Sequence, residues 1–188
     1  MVGCRAMFRL WQRCWFPASI VFLYLYSFPY FAGIHSSNEL PRIYLTMAMV
    51  DRHQLNIDEE MNRFQYTSDT STYKGRLYSN KAPGMSMLTI PVYAALKWIS
   101  GSASPSLRSM FYWFRLFGSV IPSLLFLLLL WRFLEDLVEN IAVRRLVLAG
   151  YGLGTMALVY GTLFIAHQLS AVLVGTAFIL LFRVRREQ

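Results

Sequence analysis

Long apolar blocks constrain the fold of this chain more than any other feature of its sequence. Residues 124–131 read LLFLLLLW, without a charged side chain. On a small soluble domain such a run would expose a large apolar patch, whereas a bilayer accommodates it. The composition agrees, because 56% of the 188 residues are hydrophobic and only 15% are charged, against roughly 25% charged in soluble domains. We therefore predict an all-α integral membrane protein.

The first apolar block covers residues 14–34, close to the roughly 20 residues that a helix needs to cross the hydrocarbon core. Arg5, Arg9 and Arg13 precede it, which places the N-terminus in the cytoplasm. A cleaved signal peptide is the alternative, because its N-terminal region is also basic. The block is longer than the core of a signal peptide, and no clear A-x-A cleavage site follows it. We interpret it as an uncleaved signal anchor.

Further apolar blocks cover residues 84–99, 111–134, 146–165 and 168–183. The block at 84–99 is short and contains Pro91, which is typical of a re-entrant or interfacial helix. If it does not cross the membrane, the cytoplasmic side holds nine arginines, which the positive-inside rule favours. They are Arg5, Arg9, Arg13, Arg132, Arg144, Arg145, Arg183, Arg185 and Arg186. We predict four spans, with strict alternation of all five blocks as the alternative.

A long first external loop, residues 35–110, separates the first two predicted spans within a single membrane domain. A juxtamembrane helix is predicted at residues 39–55, with Ser37 or Asn38 as its cap, because apolar residues follow at helical spacing. We expect this amphipathic helix to lie along the membrane surface. The second helix of the loop is the re-entrant one at residues 84–99.

The net charge of +8 raises the question of nucleic-acid binding, so its distribution matters. Between residues 35 and 83 six acidic residues balance six basic ones. The surplus therefore lies beside the apolar blocks, where it orients the chain in the membrane, and we expect no nucleic-acid partner. The cysteines Cys4 and Cys14 fit neither a disulfide framework nor a zinc site.

Several charged residues of the external side are candidates for a functional site. Glu39 and Arg42 share one helix face just beyond the first span, although a first-turn acid with a surface ion pair is the structural alternative. The segment 66–84 is dense in tyrosine and paired charge and is interpreted as a binding loop, in which Asp69 could act as a base or metal ligand and Lys81 could hold a phosphate. The acidic triplet at 58–60 is expected to be a solvated turn.

Two further candidates lie at the predicted ends of spans. Arg115 near the outer end of the second span is costly there unless it snorkels, pairs or binds an anion. His167, in the short outer turn before the last span, is a candidate ligand or an ordinary helix cap. In the third span, small residues at three- to four-residue spacing predict one stripe for close helix packing. They are Gly150, Gly154, Ala157 and Gly161.

Three short motifs carry a resemblance to a known family. They are Asn38-Glu39 opening the external loop, YSNKAPG at 78–84, and Phe114-Arg115-Leu116 at the start of the next span. With the signal anchor and the juxtamembrane helix, this layout resembles the N-terminal part of glycosyltransferases of the GT-C fold. These use polyprenyl-phosphate sugars and include protein O-mannosyltransferases and aminoarabinose transferases. The motif pair especially resembles bacterial members of unassigned substrate.

The resemblance implies an enzyme of the bacterial inner membrane. It would move a sugar from a polyprenyl-phosphate donor to an unidentified acceptor on the extracytoplasmic side, by an inverting direct displacement. Glu39 would be the catalytic base, with Asp69 as second choice. Lys81, Arg115, Arg42 and His167 would be the phosphate-binding candidates. The resemblance also allows a divalent metal ion as cofactor, but Asn38 stands where an acid is common in the family, and no clear ligand cluster supports the ion.

Family members have more spans and often a soluble tail, so we expect this chain to be a fragment with little activity alone. A non-catalytic membrane subunit, a small transporter or a lipid-binding protein is the alternative. A transporter would carry polar residues within its spans and matched halves, and neither is evident here.

Overall fold

The computed structural model describes residues 2–30, 37–101 and 105–186, with side chains from residue 15 onward. The described chain is mostly helical, with one two-stranded β-hairpin. Its elements are α1 (Val2–Ser27), a 3₁₀ turn (Phe28–Tyr30), α2 (Glu39–Asp51), α3 (Asp58–Arg63), β1 (Thr70–Tyr73), β2 (Arg76–Ser79), α4 (Gly84–Leu88), α5 (Ile90–Ser100), α6 (Leu107–Arg115), a π-helical turn (Leu116–Val120), α7 (Ile121–Leu137), α8 (Ile141–Gly154), α9 (Met156–Thr162) and α10 (Ala166–Arg186).

Two helical segments within the described ranges are long and apolar enough to cross a membrane. One is the continuous run α6–π–α7, Leu107–Leu137, with 31 residues, and the other is α10, with 21. They include the predicted spans 111–134 and 168–183. The pair α8 and α9 qualifies as a third span only if its 53° bend is accepted within one crossing. Length and hydropathy thus give two or three spans, and the predicted count of four is not reached.

The predicted first span, residues 14–34, overlaps the second half of α1. The helix ends at Ser27, before the predicted end, and residues 31–34 lie outside the described part of the chain. The first half of α1 carries several arginines, which lowers the mean hydropathy of the whole helix. From residue 15 onward α1 packs its side chains Ile20 and Tyr24 into an apolar cluster with α7 and α8.

The predicted third span, residues 146–165, is a broken helix. Thr155 between α8 and α9 is extended (φ −123°, ψ −179°), and its hydroxyl accepts the N–H of Ala157 as a cap. The break deprives carbonyl groups of α8 of their helical partners. Tyr24 of α1 compensates, because its hydroxyl donates to the carbonyl oxygen of Gly152 at 2.8 Å.

The break also corrects the predicted stripe of small residues. A Cβ atom on Gly150 would meet nothing within 4 Å, and Gly154 is nearly as open. The close approaches are instead at Gly152, beside Leu127, and at Gly161, where a Cβ would lie 2.9 Å from the Tyr24 ring. The stripe prediction was wrong because it assumed one straight helix, and the bend redirects its faces.

Helix α2 forms the centre of the region built by residues 39–115 rather than lying along a surface. All ten residues from 39 to 48 are buried, because α3, β2, α4, α5 and α6 pack around it. The amphipathic arrangement expected from the sequence is therefore wrong. The helix ends at Asp51, before the predicted residue 55, where His53 adopts a left-handed conformation (φ 53°) and Gln54 N–H bonds the carbonyl of Ala48.

The predicted re-entrant helix at 84–99 consists of two helices, α4 and α5, which meet at Thr89. Pro91 lies in the first turn of α5, where its missing N–H costs nothing, and does not break the helix. Trp98 near the end of α5 is 84% exposed in the isolated chain. Asp51 of α2 holds α5 through Tyr93 (2.7 Å) and Lys97 (2.6 Å).

The acidic triplet at 58–60 opens helix α3 and is not a solvated turn. Glu60 is buried and binds Arg52 through both carboxylate oxygens, at 3.2 and 2.8 Å. Asp58 accepts the backbone N–H of Leu77, which attaches α3 to β2. The prediction was wrong because Arg52 neutralises the acids from an adjacent helix end, which local sequence does not show.

The predicted binding loop at 66–84 contains the β-hairpin. Its two-residue turn, Lys74-Gly75, has positive φ at both positions (49° and 75°), as type I′ turns require. The register pairs Thr70 with Ser79, so the residues just outside both strands lie side by side.

Candidate functional site

The site is built around a fully buried ion pair. Glu39 is the first residue of α2 and Arg115 the last of α6, 76 positions apart in sequence. The guanidinium Nε and Nη2 of Arg115 donate to the two carboxylate oxygens of Glu39, each at 2.8 Å. Their exposed fractions are 2% and 0%. Such a bidentate pair fixes the orientation of both side chains. Loss of one partner from a buried pair strongly destabilises the folded protein, because the other charge stays buried.

A third segment of the chain meets the same carboxylate. Phe164, between α9 and α10, donates its backbone N–H to Glu39 Oε1 at 2.8 Å. Its ring packs on Phe114 of α6, with centroids 5.5 Å apart. Gly118 in the π-helical turn makes room for this ring, because a Cβ there would lie 2.8 Å from it. Glu39 therefore joins α2, α6 and the α9–α10 connection.

A second ion pair lies at the open end of the hairpin. Asp69 precedes β1, while Asn80 and Lys81 follow β2, so the strand register brings them together. One oxygen of Asp69 accepts from Asn80 at 2.7 Å and from Lys81 at 2.8 Å. Both Asp69 and Lys81 keep 19% of their side-chain surface exposed, so solvent or a ligand can reach this pair.

The Asp69 carboxyl is ionised at neutral pH. Burial raises its pKa, but hydrogen bonds from Lys81 and Asn80 and the positive charges of Lys81 and Arg42 outweigh that effect. The net result is a pKa below the ordinary value. The charged form of Asp69 is thus the stable one in this arrangement.

The positive charge of Arg42 interacts with a carboxylate of each ion pair, Glu39 and Asp69. Arg42 is one helical turn after Glu39, is 94% buried, and donates from Nη1 to the carbonyl of Asn38 at 2.6 Å. Burial lowers its pKa, and the carboxylates of Asp69 and Glu39 oppose that shift. Its Nε is buried and has no hydrogen-bond partner among the described residues. Because guanidinium stays charged in proteins, this is a cation with unused donor capacity.

Five of the six candidate residues from the sequence are thus linked in one region. Glu39 and Arg115 form the inner pair, Asp69 and Lys81 the outer pair, and Arg42 interacts with both carboxylates. His167 is different: it is exposed in the first turn of α10, and its ring lies 5.2 Å from that of Tyr160. Its contacts do not connect it to the five.

The carboxylates of Glu39 and Asp69 differ in their accessibility to solvent and substrate. Glu39 accepts three N–H bonds and has no exposed surface, so a substrate hydroxyl cannot reach it in this arrangement. Asp69 is partly exposed and is held by the side chains of Asn80 and Lys81. In this arrangement Glu39 joins three segments of the chain, and Asp69 is the carboxylate of the two that solvent can reach.

No group of three or more His, Cys, Asp or Glu side chains suited to a metal ion occurs within residues 15–30, 37–101 and 105–186. The sequence motifs contained Asn80, within YSNKAPG, but did not single it out as a partner of Asp69. The Phe164 contact uses a backbone N–H, and no sequence pattern marks such a donor.

Comparison with known proteins gives no relative: no family model, no curated protein and no solved structure matches this chain.

Proposed function

We propose that this protein is a membrane glycosyltransferase that takes a sugar from a polyprenyl-phosphate donor. The observation that carries the proposal is the cluster at the hairpin and α2. Arg42, with a buried unused donor, and Lys81 accompany the reachable carboxylate of Asp69. Two cations beside one base are what displacement of a sugar from a phosphate needs.

The proposed topology has four spans, made by α1, the α6–α7 helix, the bent pair α8–α9, and α10. Glu39 contacts Arg115 and the backbone of Phe164. These contacts support the topology, because they require the start of α2, the end of α6 and the α9–α10 connection to share one side. With a cytoplasmic N-terminus, that side is extracytoplasmic, and the membrane would be the bacterial inner membrane.

In the proposed reaction Asp69 accepts the proton of an acceptor hydroxyl. The hydroxyl oxygen forms a bond to the anomeric carbon while the bond from that carbon to the phosphate oxygen breaks, which inverts the anomeric centre. Arg42 and Lys81 stabilise the charge that develops on the departing polyprenyl phosphate. The Glu39–Arg115 pair holds α2 in place, so that Arg42 faces the hairpin.

The experiment uses the protein in liposomes with polyprenyl-phosphate-linked hexoses and pentoses, together with a mixture of lipid, peptide and saccharide hydroxyl acceptors, and measures released polyprenyl phosphate. We expect Asp69→Asn to lower the release rate by roughly 10²–10⁴-fold, the usual contribution of general acid–base catalysis. Glu59→Gln is the matched control, because Glu59 is a largely exposed acid of the same external region. Equal rates for wild type and Asp69→Asn would contradict the proposal.

A lipid-binding subunit without catalysis is the second candidate, and the three hydrogen bonds to Glu39 favour it, because they give that carboxylate a structural role. Binding of polyprenyl phosphate to liposome-embedded protein separates the two. If wild type binds this lipid but releases none from any sugar-linked donor, the subunit is the correct function.

A further inference from the structure

The opposite ends of α7 and α10 enclose a second polar site. Asp136 near the end of α7 binds Arg183 of α10 at 2.9 Å, and Arg186 donates to the backbone carbonyl of Asp136 at 3.2 Å. A cavity of about 550 Å³ lies between the two helix ends, lined by Phe133, Asp136, Phe182, Arg183 and Arg186. These contacts position two guanidinium groups at its wall.

The cavity has the charge of an anion site. Two arginines face one carboxylate, and Arg132, one turn before Asp136 on α7, adds an exposed positive charge. Glu135 does not cancel this excess, because its carboxylate pairs with Arg144 at 3.4 Å. The other wall is aromatic, formed by the rings of Phe133 and Phe182, which meet edge to face at 5.4 Å.

The cavity also lies where a lipid headgroup would be. Both helices belong to the segments long and apolar enough to cross a membrane. The flank of α10 that leads to the cavity is apolar and exposed, with Val174, Phe178 and Leu181 each at least 60% exposed. The arginines begin directly after this apolar flank, as expected at the boundary between acyl chains and headgroups.

We propose that this cavity binds the headgroup of an anionic phospholipid, whose acyl chains lie along the exposed flank of α10. Arg183 and Arg186 contact the phosphate, and the phenylalanine rings contact the glycerol and the first methylenes. The site is separate from the proposed transferase site, which is at the other ends of these helices, about 25–30 Å away along 17 to 21 residues.

The test measures phosphatidylglycerol retained by the full chain in phosphatidylcholine nanodiscs, by native mass spectrometry. We expect Arg186→Gln and Arg183→Gln each to weaken phosphatidylglycerol binding about fivefold, the usual effect of one arginine near an anionic surface. Arg108→Gln is the matched control, because Arg108 is exposed at the opposite end of the α6–α7 helix. Retention of phosphatidylcholine should be the same in all variants.

Asp136→Asn gives a result that a purely structural role does not predict. Removing the carboxylate frees the Arg183 guanidinium, so we expect tighter phosphatidylglycerol binding. If Arg183 serves only to join the helices, the same variant lowers the melting temperature and leaves lipid retention unchanged, which would overturn the proposal.

A competing arm with inorganic phosphate distinguishes a lipid site from a site for soluble anions. Millimolar phosphate should not displace phosphatidylglycerol from the wild-type protein. Full displacement, or equal loss of lipid in Arg186→Gln and Arg108→Gln, would also overturn the proposal.

Discussion

At the residue scale, we expect the contact between Glu39 and Arg115 to affect folding stability more than any other ion pair of the described residues. Both groups lose their hydration on folding, and the bidentate geometry with the Phe164 N–H replaces it. Because neither side chain is accessible, the pair stabilises the junction of three chain segments. Any role in catalysis passes through the position of Arg42, one turn further along α2.

Arg115→Met should therefore be much more destabilising than the loss of an exposed pair. We expect it to lower the free energy of unfolding by about 3–5 kcal/mol, because it leaves a buried carboxylate without its cation. Lys97→Met is the control, since Lys97 is half exposed in its pair with Asp51, and about 1 kcal/mol or less is expected. Denaturant unfolding in detergent measures both, and similar losses would contradict the buried pair.

At the element scale, the π-helical turn between α6 and α7 determines how closely the α9–α10 connection approaches. Gly118 within that turn contacts the Phe164 ring, and Phe164 in turn supplies the backbone N–H that binds Glu39. Packing at the turn and hydrogen bonding at the carboxylate are thus coupled through one residue.

We expect Gly118→Ala to destabilise the protein by about 1–3 kcal/mol, because the new methyl group would displace the Phe164 ring. Gly84→Ala is the matched control: a Cβ there meets nothing within 4 Å, and its φ is not positive. Thermal unfolding of both variants provides the comparison. Equal melting temperatures for the two would show that the ring is not in contact with Gly118.

The sequence predicted elements whose formation depends on composition and missed those that depend on a distant partner. The apolar runs of α7 and α10 are sufficient to indicate spans. The Gly152 carbonyl at the bend is satisfied by Tyr24, which lies more than a hundred residues earlier. Glu60 of α3 is paired with Arg52, only eight residues earlier, but the turn that brings the two together depends on the packing of α3 against α2. Local sequence patterns do not predict such tertiary contacts.

At the scale of the whole molecule, two regions with different chemistry lie at opposite ends of the apolar helices. One region contains α2 to α5, the hairpin and the charged site. The other region contains the α7–α8 connection and the end of α10, with Arg144 over the Trp131 ring at 5.6 Å. The contact between Glu39 and Arg115 agrees with the sequence-based expectation that both lie on one side of the membrane. Their pairing geometry could not be predicted, because it depends on the packing of α2 against α6.

Sidedness is the most direct test of this account, since the proposed site requires the hairpin and the α7–α8 connection to face opposite compartments. Single substitutions Arg76→Cys and Glu139→Cys, each in a Cys4→Ser/Cys14→Ser background, would be probed in intact bacterial spheroplasts with a membrane-impermeant maleimide. The account predicts labelling of the Arg76→Cys protein in intact spheroplasts and labelling of the Glu139→Cys protein only after permeabilisation. Labelling of both from the same side, or the reverse pattern, would contradict it.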